Sequence, residues 1–114
     1  MKVAALTMTL IAALMIMPAI AQNDGNQPAR KQYIDAAISQ GIFQKVIVPA
    51  DLPHVWVTPL FNSVAFELKQ NLVAMVYQYY RLGEKPNLAL VIVKDSKTGK
   101  QIGKYTPAGG LDLD

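Results

Sequence analysis

The sequence predicts one small α+β domain in the order α-β-β-α-β-β, with an antiparallel sheet of three or four strands packed on a central helix. Three observations predict it. Residues 67–81 contain no Gly or Pro and repeat apolar side chains at helical spacing. Short β-branched runs stand on both sides of that stretch. Gly and Pro fall between these segments rather than inside them.

In the central segment, Leu68, Leu72, Met75, Val76 and Tyr79 follow one helical face, and Val73, Val76, Tyr77 and Tyr80 make a second apolar side. A helix apolar on two sides is wedged between other elements, and flanking strands are expected to cover it. Asn62 or Ser63 is a candidate cap that would start it a turn before Glu67, and Gly83 with Pro86 ends it.

Upstream, Pro28 suits a first helical turn, and a helix over 28–40 presents Tyr33, Ile34, Ala37 and Ile38 while Arg30, Lys31 and Asp35 face water. Gly41 is placed for a left-handed cap, with Ile42 or Phe43 folding back on the last turn. Strands follow over 45–48 and 54–58, joined by the turn Pro49-Ala50-Asp51-Leu52-Pro53. In the second, Val55 and Val57 share one face and His54, Trp56 and Thr58 the other. Residues 88–93 read as an interior strand, 95–99 as a tight turn with Gly99 available for positive φ, and 101–105 as the partner strand. Gly103 inside that strand indicates a bulge or a close backbone approach. Pro107 and Gly109-Gly110 then end regular structure and leave 111–114 as a short acidic tail.

The first residues carry a different signal. Met1-Lys2 is a short positive start, Val3 to Met17 has no charge, and Pro18 precedes Ala19-Ile20-Ala21. Small residues at Ala19 and Ala21 match what a signal peptidase reads, so cleavage would expose Gln22. The expected division is a signal peptide over 1–21, a flexible mature N-terminus over 22–27 and a single domain over 28–114. The expected location is the periplasm or the outside of the cell, with no stable membrane anchor after cleavage. An uncleaved inner-membrane anchor is the alternative, since 3–21 is just long enough to span.

Composition narrows the chemistry. The chain of 114 residues contains no cysteine, which excludes disulfides, thiolate metal sites and a Cys nucleophile. The formal charge is +3, and loss of Lys2 lowers it by one. That excess is too small to argue for nucleic acid or an anionic membrane. His54 is the single histidine, with Asp51 three residues before it, but no Ser stands in a nucleophile-type turn. One His without Cys cannot make the usual zinc set. The segment 94–101 is not a phosphate loop, because Lys94 takes the first Gly position and Gln101 follows the Gly-Lys pair. As a calcium loop it fails at Lys97, where an oxygen ligand is needed. No catalytic residue, cofactor or metal site is therefore expected.

Trp56, Tyr77 and Tyr80, with Lys97 and Lys100, remain as a candidate interaction surface. Tyr105 belongs to the same aromatic set, and Tyr79 is expected in core packing. Lys94, Lys97, Lys100 and Lys104 surround one hairpin, where the favoured expectation is that charge protects an edge strand from pairing with another chain and the alternative is that it docks an anionic partner.

Gly41-Ile42-Phe43, Val55-Trp56-Val57-x-Pro59, Phe66-Glu67-Leu68-Lys69-Gln70, Val76-Tyr77-Gln78-Tyr79-Tyr80 and Asp95-Ser96-x-Thr98-Gly99-Lys100-x-Ile102-Gly103 together resemble a group of small, uncharacterised bacterial secreted proteins. The resemblance implies export from a bacterial cell and one compact domain, and it brings no activity or ligand. The functional expectation is a non-enzymatic exported protein that binds or supports another envelope protein. The alternative is a small-molecule or glycan-binding module using exposed aromatics.

Overall fold

A computed structural model describes residues 26–114. The signal peptide, its cleavage site at Ala19, Ala21 and Gln22, and most of the expected flexible N-terminus lie outside the described residues. The chain order is α1 (Gln27–Ser39), β1 (Phe43–Ile47), a 3-10 turn (Pro49–Asp51), β2 (His54–Val57), α2 (Pro59–Ser63), α3 (Phe66–Leu82), β3 (Val91–Asp95), β4 (Gln101–Thr106) and β5 (Gly110–Leu113). The domain is α+β, but its sheet has five strands in sequential order and is mixed. β2 and β3 pair in parallel, and the other three pairings are antiparallel.

The expectation of a purely antiparallel sheet fails at the central helix. A strand, a helix and a second strand form a crossover, which is the connection a parallel pair needs. The expected acidic tail is also corrected. Residues 110–113 form the fifth strand, with Tyr105 opposite Leu111 and Gly103 opposite Leu113. Leu111 is buried, and its N–H donates to Gln70 Oε1 at 3.0 Å.

α1 starts at Gln27, one residue before Pro28, so Gln27 belongs to the helix rather than to a flexible tail. Its amide donates to the Tyr79 carbonyl at 2.8 Å and accepts from Arg30 Nη1 at 2.8 Å, tying α1 to α3. Arg30, expected in water, is fully buried. It stands on the same face as Tyr33, Ile34 and Ala37, three, four and seven residues on, and helical phase takes it inside with them. α1 ends as read. Gly41 has φ +80°, and Gly41 N–H and Ile42 N–H donate to the carbonyls of Ile38 and Ala37, at 3.0 Å each. That is a Schellman arrangement, and it folds Ile42 into the core.

α3 is wedged as expected. Leu68, Leu72, Val73, Met75, Val76 and Tyr77 are buried, while α1 packs on it and β3, β4 and β5 lie against it. Ala65 is its N-cap and no side chain caps it, so the proposed Asn62 or Ser63 cap is replaced by the short helix α2, which those residues end. β3 begins at Val91 rather than at Leu88, although Leu88 is buried. Gly103 faces Asp112 and Leu113 so closely that a Cβ would meet the Asp112 carbonyl oxygen at 2.6 Å, so the close approach read from sequence is real.

Burial alternates along the strands. Val55, Val57, Val91, Val93, Tyr105 and Leu111 point inward under the helices, and no opposite-phase strand residue is buried. One face of the sheet is therefore the core and the other is uncovered.

Candidate functional site

The uncovered face follows from strand register. Lys45 on β1, Trp56 on β2, Lys94 on β3 and Gln101 on β4 stand in one row across the sheet. A second row holds Ile47, His54, Ile92, Lys104 and Asp112. Period-two alternation sends the β2 and β3 members outward because Val55, Val57, Val91 and Val93 go inward, and the register shifts at Phe43/Lys45 and Val93/Lys94 bring Lys45 and Gln101 into the same row.

Trp56 is the centre of the first row. Lys45 Nζ lies 4.7 Å from the indole centroid and Lys94 Nζ lies 5.2 Å from it. Two ammonium groups share one ring, which places them within about 10 Å of each other, one Debye length in ordinary salt. At one edge of the ring is Gly99, with φ +73°, where a Cβ would sit 3.5 Å from Trp56 Cζ3. The turn from β3 to β4 thus curls against the indole, and it carries exposed Lys97 and Lys100. That turn is held by Asp95, whose carboxylate accepts from Thr98 N–H at 2.9 Å. The Thr98 backbone and side-chain hydrogen bonds hold the Asp95 carboxyl below its usual range.

His54 is half-buried in the second row, between Ile47 and Ile92. Burial lowers its pKa first, and the Lys94 charge lowers it further. Asp51 does not face it as a catalytic partner; its carboxylate pairs with Lys85 Nζ. That hydrogen bond raises the Lys85 pKa. The ion pair closes one side of a cleft of about 430 Å³ between the 3-10 turn and the 84–89 loop. Ala50 and Asp51 in that turn both have positive φ, 49° and 65°.

The sequence-predicted surface is split. Trp56, Lys97 and Lys100 come together at one end of the uncovered face. Tyr77 does not join them; it is 3% exposed, stacks on Tyr105 at 5.5 Å and donates to the Leu88 carbonyl at 3.1 Å. Tyr80 is half-buried on the helical side, edge-on to Tyr79, and lines a groove with Ile38, Val46 and Glu84. Lys45 is the site residue that the sequence does not single out, whereas Lys94 and Lys104 belong to the lysine cluster of the last hairpin. For Lys104 the signal is alternation within 101–106, which sets it between buried Gly103 and Tyr105; Lys45 shares the phase of buried Phe43, and only the register shift between Phe43 and Lys45 turns it outward.

Among the described residues no group of three or more His, Asp or Glu is arranged to hold a metal ion, and no helix is long and apolar enough to cross a membrane. Compared with known proteins, the chain matches no family model, no curated protein and no solved structure.

Proposed function

We propose that this is a non-enzymatic, exported protein of the cell envelope that works by contact, as an accessory module for another envelope protein. The observation that supports the reading is the uncovered sheet face, on which Trp56 is flanked by Lys45 and Lys94. An aromatic centre with a charged rim is the composition of a binding patch. The leader read over 1–21 supports export. A glycan-binding module fits less well, because ammonium groups occupy the ring that a sugar would stack on and Tyr77 is in the core.

The test places a photo-crosslinking residue at position 104 on the uncovered face, and at position 32 on exposed α1, in the native host. Adducts to an envelope protein are expected from position 104 and not from position 32, on material whose intact mass begins at Gln22. Retention of residues 1–21 sinks the cleaved-leader reading and revives the uncleaved inner-membrane anchor. Turnover of a substrate that is lost in His54→Ala or Asp51→Ala sinks the non-enzymatic one.

A further inference from the structure

We infer that the uncovered face takes an acidic polypeptide segment, gripped by the Lys45–Trp56–Lys94 row. The inference rests on the reading of that face as the contact surface and names the chemistry of what it contacts.

Charge is the first reason. The molecule has only a small net charge, but its lysines are gathered. Lys45, Lys94 and Lys104 stand on the uncovered face, and Lys97 and Lys100 on the adjoining turn. The strands bring two acids. Asp112 is at the outer edge, opposite Lys104, and Asp95 is folded into its own turn by Thr98. Neither stands in the Lys45–Trp56–Lys94–Gln101 row, so among the described residues that row has lysines and no carboxylate. Lys45 and Lys94 rest on the indole, a modest contact at an exposed site, and each ammonium keeps N–H donors for an arriving carboxylate.

Size is the second reason. Five strands span about 19 Å across and about 16 Å along, a projected patch on the order of 300 Å². An extended segment of about five residues at ~3.3 Å each matches the length of the patch.

Shape separates the other anionic partners. A lipid surface favours projecting apolar side chains, whereas Trp56 is half-buried and the exposed large apolar residue here is Ile47, on the edge strand. An anionic glycan needs an open ring face for stacking, and here ammonium groups lie over the ring.

Trp56 is the single tryptophan, so its fluorescence reports on this site alone. The probe is poly-L-glutamate, titrated into residues 22–114 at low salt. The expected result is a saturable change in emission that weakens as salt rises. Binding should be about tenfold weaker in Lys45→Glu/Lys94→Glu and unchanged in Lys31→Glu/Arg81→Glu, which reverses two helical charges instead. Thermal melts check that the variants fold. Should the first not fold, Lys45→Gln/Lys94→Gln replaces it, with a loss of about threefold expected. No response to poly-L-glutamate, or equal loss in both double variants, overturns the inference. So does tighter, lysine-dependent binding to phosphatidylglycerol vesicles or to polymannuronate. If poly-L-glutamate fails while crosslinks from position 104 persist, the partner class falls and the contact surface stands; if both fail, both fall.

Discussion

At the scale of single residues, backbone conformation and proton affinity make separate demands. Gly99 has φ +73° and its missing Cβ faces the Trp56 ring. A β-branched residue resists that φ and crowds the indole as well. Gly99→Val should lower stability by about 1–3 kcal/mol and shift Trp56 emission. An urea melt read at the tryptophan checks both, and an unaltered melt would show that the turn accommodates a side chain. His54 gives a pH prediction. Its folded pKa lies below its ordinary value of 6.5, through burial and then Lys94. The folded state therefore binds fewer protons than the unfolded one, and the stabilising contribution is present above pH 6.5 and lost as pH falls through the folded pKa. His54→Gln should flatten the decline in stability just below pH 6.5, measured by melts across that range. An identical decline in both proteins would place the titrating group elsewhere.

At the scale of elements, α3 and β5 are the informative cases. Leu72 is 1% exposed in the middle of α3, while Gln78 is half-buried. Leu72→Ala should cost ~2–5 kcal/mol through lost transfer energy and an unfilled cavity. Gln78→Ala should shift stability by about half a kcal/mol. Parallel urea melts compare them, and equal damage would put the helix in a different phase. β5 was the element least visible beforehand. Gly109-Gly110 reads as an end, yet Leu-Asp-Leu-Asp alternates with period two, and that alternation was the available signal. Since Leu111 is buried and Gln70 caps its N–H, Leu111→Ala should destabilise by about 2–4 kcal/mol, measured by the same melts. A neutral result would return 111–114 to a tail.

At the scale of the whole molecule, the described residues place a helical layer on one side of a five-stranded sheet and none on the other. The modest net charge hid a strong asymmetry, because summing charges discards where they stand. Lys45, Lys94 and Lys104 come from three strands and meet only after pairing. No window of sequence brings Lys45 and Lys94 together across 49 positions, whereas register puts both beside Trp56.

The sequence by itself determined what depends on neighbours along the chain: the 3.6-residue phase of α3, the Gly41 cap, the inward pair Val55 and Val57, the positive φ of Gly99 and the tight approach at Gly103. Each is a local steric or periodic constraint, so a few residues suffice to state it. Only the tertiary structure decided that β2 and β3 run parallel, that the last four-residue strand closes the sheet, that Arg30 and Tyr77 go inside, and that two lysines converge on one indole. These outcomes depend on which strand pairs with which. Pairing is chosen by the total apolar surface buried across distant segments, a quantity that no local pattern contains.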